Sequence, residues 1–378
     1  MSREKVERNI YYDTERELYY VNFDYGKDET GKRVKSAKTF KKKSEAKKAL
    51  TIFEAGRISK TIVAPTFVKL SEWLEYWLNT IKAARCEETT LYGYRNIINK
   101  HLVPALGDMR LQAITPTVIN KYMTAKQAEG LGANTIGKHY TVLKDALKHA
   151  VNEEKIPKNP CDRVNPLKVE RKEINFYDTA TLQKLFALVE GNRLEIVVKL
   201  AGALGMRREE ISGLKWGNVD FSAKTLLIVE ARTQVGGQYV EKKPKNTTSH
   251  RTLHIPDDIS ELLKNLKAQQ EREKALLCAQ YIDGGYVMAW ENGEPYRPNY
   301  ISELFTKFIK DNGLPTITLH GLRHSFASIA NELGINMFDI SKALGHSAIA
   351  TTSKIYTHMF DPTHTTAIDK VAAALGGK

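Results

Sequence analysis

The feature that most constrains this chain is a change in hydrophobic period near residue 66. From Leu70 onward apolar residues recur at helical spacing, with Leu70, Trp73, Leu74, Trp77, Leu78 and Ile81 on one stripe and Leu91, Tyr94, Ile97, Ile98 and Leu102 on a second. Residues three and four apart share one helix face, so each stripe predicts an amphipathic helix with a buried side. Ser71 stands where a cap is expected for the first, Thr89 and Thr90 for the second. Thr115-Pro116 places a cap and a first-turn proline ahead of Val118, Ile119 and Tyr122, and Ile136, Tyr140, Leu143, Leu147 and Val151 form a fourth stripe. Trp73, Trp77 and Tyr140 lie on the stripes and are expected in the core rather than stacking on bases. Residues 66–165 are therefore predicted to be an all-helical domain, and the charged, stripe-free segment 166–175 a linker.

The residues before this point follow a different period. Residues 9–25 are dense in Tyr, Val and Phe around a turn at Asp13–Glu17, and a second turn precedes KTF at 38–40, which predicts a small sheet of three strands. Ser44 is the expected cap of a short helix carrying Ala46, Leu50 and Phe53. Lys32, Arg33, Lys35, Lys38, Lys41, Lys42 and Lys43 cluster here, followed by Lys47 and Lys48 and opposed only by Glu45. A basic sheet with one helix over residues 1–63 suits a DNA reader, since a strand ribbon fits the major groove; the alternative is a basic solubilising appendage.

Residues 176–378 return to helix, with Asp178 or Thr179 capping Leu182, Leu185 and Phe186, and a buried run from Leu194 to Leu204. Short strands are predicted at Thr225–Val229, Gln238–Glu241 and Arg251–Ile255, then further helices at Ile301–Ile309, Arg323–Leu333, Phe338–Leu344 and Ala367–Leu375. The expected class is α+β multidomain: a three-stranded sheet with a helix, an all-helical domain, and a mostly helical domain with a small antiparallel sheet.

Charge and cysteine usage narrow the function. Among 378 residues, 57 Lys plus Arg exceed 44 Asp plus Glu, a formal net charge of +13 that favours a polyanionic partner. The cysteines Cys86, Cys161 and Cys278 are far apart, which excludes a zinc ribbon and a disulfide framework. The start MSREKVERNI has no apolar run, and no stretch is long enough to span a bilayer. The expected location is cytoplasmic and nucleoid-associated, without membrane contact.

The carboxyl-terminal domain shows basic groups in turns and at helix starts but no clustered carboxylates. A phosphodiester-cutting site can neutralise phosphate with carboxylate-held metals or with Arg, Lys and His directly, and this inventory predicts the second route, without metal or cofactor. Three segments supply it. GMRREEISGLKW (205–216) places Arg207 just after Gly205, PKNTTSHR (244–251) puts Lys245 in a turn, and LHGLRHSFAS (319–328) sets His320 and Arg323 on one helical face. LGHSAIATTSKIYTH (344–358) then brings His346 and, ten positions later, Tyr356.

In order and spacing these motifs resemble the signature of the tyrosine recombinases, and the three predicted domains are similar to the arm-binding, core-binding and catalytic domains of lambda-type phage and conjugative-transposon integrases. The resemblance implies catalytic roles for Arg207, Lys245, His320, Arg323, His346 and Tyr356. Arg207 and Arg323 would present planar forks to the scissile phosphate, Tyr356 would attack it, and His320 would take the phenolic proton. Lys245 as general acid and His346 as a further phosphate donor follow from the resemblance alone. So do the partners: double-stranded DNA at core and arm attachment sites, a homotetramer on DNA, a DNA-bending protein and an excisionase. Glu210 is expected to support Arg207, whereas Arg208 and His324 are expected to point away. The tail stripe Ile368, Val371, Ala372 and Leu375 is expected to dock on a neighbouring protomer. A regulator with the fold but not the chemistry, a type IB topoisomerase and a metal-dependent transposase are the competing readings. The complete residue set opposes the first, the basic amino-terminal domain the second, and the lack of a carboxylate set the third.

Overall fold

A computed structural model describes residues 3–27, 31–59, 61–169, 175–242 and 250–345. The chain divides into two compact units, residues 1–171 and 172–378.

The first unit opens with a four-stranded antiparallel sheet in sequential order. Its strands are β1 (Arg3–Glu7), β2 (Ile10–Asp13), β3 (Leu18–Lys27) and β4 (Arg33–Phe40). The expected three strands are thus corrected to four. The extra one, REKVE, is a charged edge strand with no apolar run to announce it, and charge on an edge discourages pairing with other chains. It returns into β2 through Asn9, whose φ of 65° is a left-handed turn conformation that Asn tolerates. Helix α1 (Lys43–Ile58) closes a small core of Ile10, Val21 and Ala46 with Phe23, Phe40 and Leu50 packed against it. Ser44 is not its cap: the helix begins one residue earlier, behind Lys42, with no side-chain cap bond.

The helical part follows the predicted stripes. Helix α2 (Leu70–Tyr76) runs on in a wider turn through Trp77–Lys82, and α3 (Glu88–Ile97) runs on through Ile98–Leu102 and Val103–Leu106. They pack with α4 (Pro116–Ala128) and α5 (Ala133–Asn152). Thr115 caps α4 by accepting the Val118 N–H, as expected, but Ser71 and Thr89 lie inside their helices. Lys69 and Glu87 hold the cap positions instead, and the Glu72 carboxylate accepts the Lys69 N–H. Trp73, Trp77 and Tyr140 are core residues. The Trp73 indole donates to the Ala146 carbonyl and the Tyr140 hydroxyl to that of Cys161, so both polar tips are satisfied inside the bundle.

In the second unit α6 (Thr179–Val189) is capped by Asp178, and α7 (Glu195–Gly202) is buried along nearly its whole length. Helix α8 (Arg208–Gly213) leads to a three-stranded sheet in the order β5 (Val219–Asp220), β6 (Thr225–Ile228), β9 (Arg251–His254). A separate hairpin pairs β7 (Ala231–Val235) with β8 (Gln238–Lys242). Helices α9 (Asp257–Leu277), α10 (Pro298–Asp311), α11 (Leu319–Glu332) and α12 (Met337–Leu344) complete the described part. α7 and α11 contribute Val198, Leu200, Ala201, Leu319 and Leu322 to the unit's main core. No helix among the described residues is long and apolar enough to cross a membrane.

Candidate active site

Gly205 makes the first turn of the site. Its φ of +65° is a conformation that L side chains avoid, and a Cβ there would lie 2.8 Å from the Phe326 ring. The reversal ends the buried run and puts Arg207 at the cap position of α8. The Arg207 N–H donates to Glu210 Oε2 at 2.8 Å and its Nη1 to Oε1 at 2.7 Å, while Nη2 reaches the Gly345 carbonyl at 3.3 Å.

Arg323 enters from α11, a helix capped by Thr318. It is only 1% exposed, and Nη1 and Nη2 donate at 2.6 Å to the carbonyls of Gly205 and Leu344. One guanidinium thus joins the bend before Arg207 to the end of α12, where Gly345 closes the helix in the left-handed conformation. His320 lies one helical turn before Arg323. His320 is exposed at the surface, yet partial desolvation of its ring and the neighbouring Arg323 charge hold its imidazole below the ordinary histidine range, with Arg207 acting in the same direction and Glu209 and Glu210 opposing. The structure therefore brings Arg207, His320 and Arg323 together. Lys245, His346 and Tyr356, and the tail stripe at 368–375, lie outside the described residues.

Of the two expectations about neighbours, one is revised and one holds. His324 does not point away: it is buried, and its ring meets that of His320 edge-on with centroids 4.8 Å apart, as i to i+4 spacing permits. Burial, then the His320 and Arg323 charges, lower its pKa to about 4. Arg208 does turn aside, donating to Glu209, Asn299 and Ser302.

Arg251 was not singled out by sequence reasoning. Its Nη1 and Nη2 donate to Glu210 Oε1 and Oε2 at 2.9 and 2.8 Å, so one buried carboxylate serves two arginines. Burial penalises that carboxylate, but the Arg251 hydrogen bonds and the charges of Arg251 and Arg207 outweigh it and hold the pKa at about 2. A signal existed: Arg251 has the strand parity of Leu253 and Ile255, both buried, and an inward arginine demands a carboxylate. The base of the β7–β8 hairpin, which precedes Lys245 in the sequence, is fixed by Lys215 bridging Glu230 and Glu241, with the Tyr286 hydroxyl also donating to Glu241.

In the first unit, Lys32, Arg33, Lys35, Lys38, Lys41, Lys42 and Lys43 are all exposed. Arg33 pairs with Asp24 at 3.1 Å and Lys43 with Glu7 at 3.5 Å. Lys35 and Lys38 are an odd number of residues apart in β4 and fall on opposite faces of the sheet, so these groups do not share a single face.

In the second unit, Arg207 and Arg323 meet at the Gly205 bend and the end of α12 with His320 beside them, and Glu210 is committed to Arg207 and Arg251, so the local inventory of side chains is rich in cationic donors. Residues 176–362 match the phage integrase family. Residues 9–55 match an arm DNA-binding domain, and 69–126 and 106–165 match phage integrase SAM-like domains. The chain belongs to the phage integrase family and is a tyrosine recombinase. It is 28% identical over 373 residues to a tyrosine recombinase XerC-like protein of Caldanaerobacter subterraneus subsp. tengcongensis, covering 94% of this chain and 95% of that one. To the ICEBs1 integrase of Bacillus subtilis it is 27% identical over 355 residues, covering 90% and 93%. Its fold is similar to that of the Tn1549 transposon integrase in complex with transposon right end DNA, at a TM-score of 0.68 and 18% identity over 82% of this chain and 99% of that one. A lambda integrase tetramer bound to a Holliday junction matches at a TM-score of 0.59 and 21% identity over 94% and 96%.

Proposed function

We propose that this chain integrates and excises a mobile element by cutting and rejoining DNA through a 3′-phosphotyrosyl link on Tyr356. The observation that carries this reading is the joining of Arg207 and Arg323 through the Gly205 bend and the end of α12, with His320 beside them and the Tyr356 segment beginning one residue past Gly345. The Tyr356 oxygen attacks phosphorus, the bond to the 5′-oxygen breaks, and the phenolic proton passes to His320. That transfer needs a neutral imidazole, a form that desolvation and the Arg323 charge both favour. Arg207 and Arg323 stabilise the charge that grows on the non-bridging oxygens. Lys245 protonates the departing 5′-oxygen and His346 adds a donor, as the family resemblance implies. Rejoining to a different strand reverses these steps, with no nucleotide or metal in them, and two rounds pass through a four-way junction.

The proposed domain roles are arm-site binding for residues 1–63, core-site binding for 66–165 and catalysis for 176–378, joined through 166–175. Lys41, Lys42 and Lys43 crowd the amino-terminal end of α1, where the helix dipole disfavours cations, and DNA phosphates would offset that cost. Two footholds on separate duplex segments work together only when the DNA is bent, hence the proposed bending partner and excisionase. A homotetramer on DNA, with the 363–378 tail docked on a neighbour, completes the assembly.

Incubation with a nicked core-site duplex in EDTA tests the chemistry. The expected result is a covalent protein–DNA adduct that Tyr356→Phe abolishes while DNA binding persists. No adduct in EDTA, with cleavage restored by a divalent metal, would overturn the reading.

A further inference from the structure

We propose that Arg251 is a positioning residue for cleavage, holding Glu210 so that Glu210 in turn aims Arg207 at the scissile phosphate; this rests on the recombinase reading above. Arg251 is 8% exposed, begins β9, follows Lys245 closely in the sequence, and grips both Glu210 oxygens. Glu210 uses the same two oxygens on Arg207: Oε1 takes the guanidinium and Oε2 the backbone N–H. Removing Arg251 leaves Glu210 with one partner, and the carboxylate is free to rotate off the axis that orients Arg207. The geometry is closed on a third side. A Cβ added at Gly345 would lie 2.8 Å from Arg251 Nη1, so the guanidinium packs against the residue whose carbonyl accepts from Arg207 Nη2. Arg251 therefore touches, directly or through Glu210, the α8 cap, the β9 start and the peptide preceding His346. It has no need to touch the DNA itself. Its planar fork satisfies both carboxylate oxygens at once, which a lysine ammonium cannot do.

A role exercised through Arg207 has a signature that bulk stability lacks. Arg251→Lys in the full chain is expected to lower the rate of adduct formation on a nicked core-site duplex at least about tenfold, yet by less than about threefold when Arg207 is already alanine, because residues acting as a unit are not additive. A methylphosphonate at the scissile position, which lacks the charge Arg207 neutralises, should likewise shrink the loss to below about threefold. Thermal melts check folding, and Glu210→Gln, which keeps the shape and removes the charge, is expected to reproduce both patterns should Arg251→Lys not fold. Equal losses with and without Arg207, or on charged and neutral phosphates, would overturn the positioning role, as would failure of both variants to fold, which would assign the pair to stability alone. The absence of any adduct from the unaltered chain would instead overturn the recombinase reading.

Discussion

Replacing Gly205 with alanine tests how the site is built, because one added carbon is opposed twice. The left-handed backbone costs an L residue about 1–2 kcal/mol. The new Cβ would also lie 2.8 Å from Phe326 Cδ1 and 2.9 Å from Leu344 Cδ2, distances at which the neighbours must move. Forcing extra volume into a packed site costs about 1–3 kcal/mol, for a total of about 2–5 kcal/mol. At about 2–4 °C per kcal/mol for a unit of roughly 200 residues, the melting temperature should fall by about 4–20 °C. Because the Gly205 carbonyl accepts from Arg323 and Arg207 lies two residues on, adduct formation should fall as well, even well below the melting point. Calorimetry of the full chain reads the first effect and suicide-substrate cleavage the second. Gly217→Ala is the control: a Cβ there meets nothing within 4 Å, so a change of no more than about 0.5 kcal/mol is expected. A Gly205→Ala protein that melts and cleaves like the parent would refute the claim that this bend sets the site.

Arg323→Lys should cost both stability and at least about tenfold in cleavage, since a point charge cannot hold two carbonyls set apart in space; near-parental rates would remove Arg323 from the phosphate. For acid, the sign is fixed by depressed folded-state values. His324 contributes stability above pH 6.5 that is lost as pH falls toward about 4, and Glu210 stability above pH 4.5 that is lost toward about 2. Each is worth about 3 kcal/mol, because the unfolded chain binds the proton first. Urea midpoints should therefore decline from pH 7 to pH 4, and a rise on acidification would contradict this. Finally, a chain lacking residues 1–63 should cleave a core-site substrate yet fail to recombine full attachment sites, and footprints outside the core should vanish with it; normal recombination would reduce that segment to nonspecific phosphate attraction.

The helical stripes were legible because burial imposes a period: Leu70, Trp73, Leu74 and Trp77 are all in the core. Helix starts were legible only where the cap is a short polar side chain with a free competitor-free turn, as at Thr115 and Asp178. At Lys69 and Glu87 nothing in the residue type announces a cap, so Ser71 and Thr89 drew the boundary inward. The edge strand β1 was hidden because an exposed, charged strand buries little. Arg207, His320 and Arg323 were readable as motifs, but their relation was not. Arg323 is buried and satisfied by carbonyls from two distant segments, Gly205 and Leu344, and no local spacing encodes such long-range closure. Arg251 was missed for the same reason: its partner Glu210 lies 41 residues away.

Covalent joining of Tyr356 to DNA can be read by mass spectrometry of the trapped adduct. After nuclease and trypsin digestion, the expected product is a nucleotide attached through its 3′-phosphate to the tryptic peptide beginning at Ile355, with the modification on Tyr356. A nucleotide on any other residue, or linkage through a 5′-phosphate, would contradict it.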